Sequence, residues 1–410
     1  MEITFPSTFL WGTATAAHQV EGGNVYNDNW VLEHVPGSSY VESSGDACDH
    51  YHRYREDIAL LAELGFTLYR FSLEWSRIEP EESEFSLAQL DHYRRMLATC
   101  HEYGLTPMVT FHHFTSPRWL AAAGGWEAQD TPEKFARFCE RAMAHLGDLL
   151  PLACTLNEVN IGPLIGAMMG TAMNAARTES WFDAAARRVG SDATRFTPFL
   201  YADTQRGRAT ILAAHRRAVE VIKAGPGKCE VGLTLAMQDI QAEPGGEEMA
   251  ARMRRELQDV YLEATQGDDF IGVQTYSRQR FGPNGPLGPE EGVELTQTEY
   301  EFWPEALEAT IRYASKGTGL PVIVTENGLA TDDDTRRIAY IERALRGVAA
   351  CLRDGLDVRG YTYWSALDNF EWSSGYRPTF GLIAVDRRTQ ERAVKPSARW
   401  LGQVAQAHGF

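Results

Sequence analysis

A chain of 410 residues with 44% hydrophobic content can bury one large barrel or two or three smaller domains, so the domain count has to come from pattern. A formal net charge of −17, with no long run of lysine and arginine, excludes nucleic acid and an anionic membrane as partners. Six dispersed cysteines without CxxC spacing, an N-terminus (Met1-Glu-Ile-Thr-Phe-Pro) with no basic-then-apolar leader pattern, and no apolar run of about 18 residues together predict a cytoplasmic protein with buried free thiols.

In chain order, Phe9-Leu-Trp-Gly-Thr-Ala reads as a first strand. Glu56 to Leu64 is a helix with Ile58, Leu61, Ala62 and Leu64 on one face, ended by Gly65, and the strand Thr67-Leu-Tyr-Arg-Phe-Ser follows. Asp91 to Tyr103, closed by Gly104, leads to the strand Pro107-Met-Val-Thr-Phe-His. Thr131-Pro-Glu opens a helix, with Thr131 as the predicted cap, and Phe135, Phe138, Ala142, Met143 and Leu146 form its apolar stripe. Ala153-Cys-Thr-Leu-Asn is the next strand. A long helix over Gln205 to Lys223 precedes Glu230-Val-Gly-Leu-Thr-Leu, and Asp269-Phe-Ile-Gly-Val-Gln-Thr-Tyr is a sixth strand followed by a Gly/Pro-rich loop from Gly282 to Gly292. Glu305 to Ser315 leads to Pro321-Val-Ile-Val-Thr-Glu, and Arg336 to Leu352 leads to Val358-Arg-Gly-Tyr-Thr-Tyr-Trp-Ser. Eight short apolar strands alternating with amphipathic helices predict a single (β/α)8 barrel over residues 1–410. No Gly-rich phosphate loop follows the first strand, which argues against an open dinucleotide-binding sheet.

Several strands end in residues that packing alone does not require: Arg70, His112 and His113, Asn157 and Glu158, Tyr276, Glu326 and Asn327, and Trp364. A barrel gathers such ends at one mouth, so Glu158 and Glu326, 168 residues apart in sequence, are brought to face each other. Two carboxylates with a histidine, an amide and tryptophans suit glycoside hydrolysis, in which one carboxyl protonates the leaving oxygen and the other acts as nucleophile or as base for water. Neither role can be given to either residue on these grounds. No HxxxH or similar spacing supports a metal, and no cofactor is expected.

The motifs are more specific than the pattern. Phe9-Leu-Trp-Gly-Thr-Ala-Thr-Ala-Ala-His-Gln-Val-Glu-Gly-Gly, Tyr69-Arg-Phe-Ser-Leu-Glu-Trp-Ser-Arg-Ile, Thr155-Leu-Asn-Glu, Val322-Ile-Val-Thr-Glu-Asn-Gly-Leu-Ala and Trp364-Ser-Ala-Leu-Asp-Asn-Phe-Glu-Trp follow in order. From Phe9 to Val385 the chain resembles glycoside hydrolase family 1, the β-glucosidase family. The resemblance implies retaining hydrolysis of a small-molecule β-glycoside, with Glu158 as acid/base and Glu326 as nucleophile. It further implies sugar contacts from Gln19, His113, Asn157, Glu371 and Trp372, stacking by Trp364, and support of the nucleophile by Arg70 and Tyr276. Glu371, Pro378 and Phe380 stand where members acting on 6-phosphosugars differ, which points to an unphosphorylated sugar.

Three departures accompany this. Val159 replaces a proline after the acid/base, Gln274-Thr-Tyr replaces an Asn-Tyr-Tyr pattern, and the segment from Asp239 to Asp268 is short. They are expected to lie outside the core chemistry and to affect the aglycone side. β-Galactosidase, β-fucosidase and transglycosidase activities are alternatives on the same site, and a non-catalytic sugar-binding protein is the alternative from another class. His112, Trp11, Trp75, Trp119, Trp126 and Trp400 are read as packing residues, His18 and Glu21 as supports of Gln19, and Glu74 with Arg77 as a structural ion-pair network.

Overall fold

The structure is a computed structural model that describes residues 3–169 and 178–410, so Met1 and Glu2 of the N-terminal reading lie outside it. Eight parallel strands close into a barrel: β1 Leu10–Ala14, β2 Leu68–Ser72, β3 Thr106–His112, β4 Leu152–Leu156, β5 Glu230–Ala236, β6 Phe270–Gln274, β7 Val322–Asn327 and β8 Val358–Trp364. Each pairs with its sequence neighbours, and β1 pairs with β8 from Leu10 opposite Gly360 to Ala14 opposite Trp364. The predicted barrel is therefore the observed fold.

Side-chain alternation explains how the barrel is filled. Leu68, Met108, Leu152, Cys154, Phe270 and Ile323, with Leu10 beside them, form an apolar plug inside the barrel. Intervening residues such as Tyr69, Val109, Ala153, Ile271, Val322 and Val324 point outward into a second core under the helices. Gly232 has no side chain because a Cβ there would lie 2.7 Å from the Phe270 ring that fills the barrel.

The helical ring comprises α1 His50–Leu64, α2 Leu87–Glu102, α3 Thr131–Leu146, α4 Gln205–Ala224, α5 Glu247–Arg254, α6 Ala306–Thr318, α7 Asp334–Arg353 and α8 Pro396–Ala407. Helix α1 begins six residues before the predicted Glu56, because its first turns are polar and only His50 among them is buried. Helix α2 starts at Leu87, where the Ser86 hydroxyl accepts from the Gln89 N–H at 3.4 Å. Thr131 does not cap α3: it is the first helical residue, and its hydroxyl donates to the Gly125 carbonyl at 2.5 Å.

Three elements at the C-terminal face of the barrel were not foreseen. The helix Ile161–Met169 follows β4 almost directly, and the helix Ser180–Arg188 packs Trp181 and Phe182 on Val31, Leu32 and Val35. The strands Asp239–Ala242, Arg278–Gly282 and Gly285–Pro286 form a small separate sheet, so the predicted loop from Gly282 is in part a hairpin.

Candidate active site

Glu326 reaches the barrel interior through an irregularity in its strand. Ile323 faces inward and Val324 outward, so strict alternation would send Glu326 outward with Val324. Between Val324 and Glu326, however, the pairing with β6 advances two residues against one, from Val324 opposite Val273 to Glu326 opposite Gln274. This bulge moves Glu326 onto the interior face. There its Oε1 accepts from Arg70 Nη1 at 2.6 Å and its Oε2 from the Tyr276 hydroxyl at 2.6 Å.

Arg70 is fully buried, two residues along β2 from the plug residue Leu68. Its Nη2 donates to Asn157 Oδ1 at 2.5 Å, its Nε to Thr110 Oγ1 at 3.1 Å and its Nη1 also to the Thr325 carbonyl at 3.2 Å. One guanidinium thus ties β2, β3, β7 and the residue following β4 together below the nucleophile position, with planar donors matched to fixed acceptors.

Glu158, just past β4, has a backbone φ of 45°, the left-handed region that a non-glycine residue occupies at a cost. Three contacts to β5 hold it there. Its N–H donates to Thr234 Oγ1 at 3.1 Å, the Val159 N–H to the Thr234 carbonyl at 3.2 Å, and the Ala236 N–H to Asn160 Oδ1 at 3.0 Å. Val159 therefore supplies a hydrogen bond that a proline has no N–H to make.

The two glutamates share one cleft and differ in what surrounds them. Burial raises the Glu158 pKa well above the usual range, the charge of Glu326 adds to this, Arg70 opposes it, and Glu371 raises it further. Burial raises Glu326 as well, but the charge of Arg70 and the hydrogen bonds from Tyr276 and Arg70 pull it back. Glu326 is thus the member of the pair that ionises first, and its charge then helps keep the proton on Glu158. Tyr276 is pushed well above its ordinary value by burial and by Glu326, so it remains a proton donor to that carboxylate.

The cleft, of about 920 Å³, is lined by Glu158, Glu326, Tyr276, Gln19, His113, Trp364, Glu371 and Trp372, while Arg70 and Asn157 lie beneath it. All ten sequence-predicted site residues are thereby brought together. Gln19 Nε2 donates to Asn369 Oδ1 at 3.1 Å and to the Phe370 carbonyl at 2.8 Å, and lies 3.4 Å from Glu371 Oε2. The His113 ring stacks against Trp364 with centroids 5.6 Å apart. Burial, then Arg70 and His112, hold His113 well below its usual pKa, so it is neutral.

Four buried polar atoms here have no protein partner: Gln19 Oε1, His113 Nδ1, Asn157 Nδ2 and Gln274 Oε1. Buried polar groups are ordinarily paired, and several orphans around one cleft are what a polyhydroxylated ligand would satisfy. Gln274 corrects the sequence reading, which set it outside the core chemistry. It is buried, lines the cleft opposite Glu326 in register, and donates from Nε2 to Asn157 Oδ1 at 2.9 Å. Its place at the inward end of a barrel strand was the signal available in sequence.

Burial and the Glu326 charge push the Glu371 carboxyl up to about 8, with hydrogen bonds from Gln19 and Trp364 opposing. In the free protein at neutral pH it therefore carries its proton. Phe380 meets the Tyr276 ring edge-on at 5.9 Å, and Pro378 is buried nearby in sequence.

His112 and the five tryptophans read as packing residues do pack, whereas the readings of His18, Glu21 and the Glu74–Arg77 pair need correction. His112 sits 3.0 Å from Ser116 Oγ, edge-on to Trp126, and burial lowers its pKa to about 3. Trp11, Trp75 and Trp126 are buried, and Trp119 and Trp400 pack on the core. His18 and Glu21, read as supports of Gln19, have other partners: His18 lies 2.9 Å from Asn27 and 3.0 Å from Asn29 and stacks on Trp372 at 5.9 Å, and Glu21 accepts from Arg77 and Tyr93. Arg77 pairs with Glu21 at 2.9 Å and not with Glu74, whose carboxylate accepts from Ser76 and Thr115. Among the described residues no group of three His, Cys, Asp or Glu could hold a metal ion, and no helix is long and apolar enough to cross a membrane.

Comparison with known proteins gives a consistent outcome. The description "Glycosyl hydrolase family 1" matches residues 1–281 and 287–410. Beta-glucosidase A of Acetivibrio thermocellus is 32% identical, with 100% of each chain covered. Thermostable beta-glucosidase B of Thermobispora bispora is 33% identical, covering 100% of this chain and 92% of its own. Among solved structures, the beta-glycosidase BGL167 has 58% identity and a TM-score of 0.95 over 98% of this chain and 97% of its own. The Thermotoga maritima beta-glucosidase, in complex with deoxynojirimycin, has 27% identity and a TM-score of 0.86 over 100% of both chains.

Proposed function

The chain belongs to glycosyl hydrolase family 1 and is a glycoside hydrolase, and from this premise we propose that it cleaves unphosphorylated β-glycosides with retention, β-glucosides foremost. The observation that carries the reading is the buried pair itself: Glu326 gripped by Arg70 and Tyr276, and Glu158 left without such support and pushed up in pKa. Glu158 is then the acid and Glu326 the nucleophile. In the first step the C1–O bond of the glycoside breaks, the Glu158 proton passes to the departing oxygen, and a bond forms from C1 to a Glu326 carboxylate oxygen.

Forming that ester removes the negative charge that helped hold the proton on Glu158. The Glu158 pKa falls, and its carboxylate takes a proton from water as the water oxygen attacks C1 and Glu326 departs ionised. Gln19, His113, Asn157, Glu371 and Trp372 bind the sugar hydroxyls and Trp364 supports its apolar face. Arg70 beneath the nucleophile already serves Glu326, Asn157 and Thr110, and Glu371 and Phe380 line the cleft where members acting on 6-phosphosugars differ, which supports a sugar without a 6-phosphate. The relatives named as beta-glucosidases support the gluco preference. Six free thiols, five of them buried, favour a reducing compartment and hence the cytoplasm, with one catalytic barrel over residues 1–410. Proton NMR of the hydrolysis of an aryl β-glucoside tests the reading: β-glucose is expected as the first-formed anomer, and α-glucose would refute Glu326 as nucleophile.

A further inference from the structure

The outer part of the cleft has a different character from its floor. The helix Ile161–Met169 starts three residues after Glu158, so its inward face adjoins the group that protonates the leaving alcohol. That face carries Ile161, Leu164 and Ile165, spaced to share one side of a helix, and all three line the cleft. Leu164 is buried in a cluster with Ala236 and Leu257; Ile161 packs against that cluster and the main core but, like Ile165, is half-buried and lines the cleft. Leu200, also half-buried, and Leu287, just past the small sheet and 38% exposed, add to the same lining. The helix Ile161–Met169 carries no Trp, Tyr or Phe, and the aromatic side chains that line the cleft, Phe114, Tyr276, Tyr300, Trp364, Trp372 and Phe380, stand on other elements.

Three polar side chains lining this part, Arg278, Gln279 and Arg280, are engaged with protein partners. Arg278 donates to Glu301, Glu290 and the Gln241 amide, and lies over the Trp303 ring. Arg280 Nη1 pairs with Glu290 at 3.1 Å, its buried Nε has no partner, and Gln279 Nε2 donates to the carbonyls of Leu287 and Arg280. A second sugar beside this helix would set hydroxyls against the aliphatic side chains of Ile161, Ile165 and Leu200, whereas an apolar group would lose nothing by leaving water.

We propose that the outer cleft is a leaving-group site for an apolar alcohol, so that the substrates are alkyl or aryl β-glycosides in preference to β-linked disaccharides. This rests on the retaining β-glycosidase reading above and adds the aglycone class to it. The test compares kcat/KM for octyl β-glucoside, below its micelle concentration, with that for cellobiose, using β-glucosyl fluoride as the reference whose single-atom leaving group cannot reach Ile161 or Ile165. Octanol is no better a leaving group than a sugar hydroxyl, so a preference for it reports on binding.

The wild-type protein is expected to favour octyl glucoside over cellobiose by about tenfold or more. In Ile161→Asn and Ile165→Asn, the ratio of octyl glucoside to glucosyl fluoride turnover should fall about tenfold, while the ratio for cellobiose holds or rises. Misfolding would depress all substrates together and leave the ratios unchanged. Cellobiose turned over as well as octyl glucoside, or ratios unmoved in active variants, overturns the assignment of the outer cleft. Glucosyl fluoride inert with the wild-type protein instead overturns the glycosidase reading beneath it.

Discussion

At the inner end of the cleft four buried polar atoms lack protein partners, and at its outer end Arg278, Gln279 and Arg280 are engaged with the protein while aliphatic surface faces the cleft. The inner end holds Gln19 Oε1, His113 Nδ1, Asn157 Nδ2 and Gln274 Oε1 without protein partners, around two buried carboxyls. The outer end holds Ile161, Ile165 and Leu200, with Arg278 and Arg280 tied to Glu290 and Glu301. A buried orphan costs stability, so it persists where a ligand supplies the missing bond; an uncovered apolar side chain in a cleft is satisfied by contact instead. The contrast teaches that the two halves of a glycoside are recognised by different physics, with Glu158 at their boundary.

Removing that boundary residue has the largest expected effect. Glu158→Ala should lower kcat/KM by about 10²–10⁴ on alkyl glucosides, whose leaving oxygen needs the proton, and far less on a dinitrophenyl glucoside. Because the acid must be protonated and its pKa is raised, wild-type activity on alkyl glucosides is retained through neutral pH and lost as pH rises through the Glu158 pKa. Pre-steady-state and pH–rate measurements check both points: the alkaline limb should vanish in Glu158→Ala. Equal loss on both substrate types would place the proton donor elsewhere.

A smaller effect is expected at the inner end itself. Gln274→Leu removes an orphaned acceptor and the donor that holds the Asn157 amide, and should lower kcat/KM for an aryl glucoside about tenfold, equivalent to about 1.4 kcal/mol. An unchanged value would return Gln274 to the periphery, where its sequence context had put it, and would weaken the account of the orphans.

Much of this was legible beforehand. The apolar runs of β1 to β8 and the polar residues at their ends announced the barrel and its mouth, because strands buried on both faces leave no other reason for Arg70, Asn157 or Glu326. Alternation could not show that a bulge turns Glu326 inward, since register belongs to the pair of strands and not to either sequence. The small sheet was missed because Asp239–Ala242 and Arg278–Gly282 are short and mostly polar, without a clear period of two. The separate roles of Glu158 and Glu326 came from motif resemblance, and their surroundings now give a physical reason for the same division: two donors on one carboxylate, burial and a neighbouring charge on the other.

The central claim is that Glu326 forms the bond to the sugar. Incubation with 2,4-dinitrophenyl 2-deoxy-2-fluoro-β-glucoside, in which the electron-poor sugar slows breakdown of the covalent intermediate, followed by peptide mass spectrometry, tests it most directly. The account predicts time-dependent inactivation with one fluoroglucosyl group on the peptide containing Glu326; a label on any other carboxylate, or turnover with no adduct at all, would contradict it.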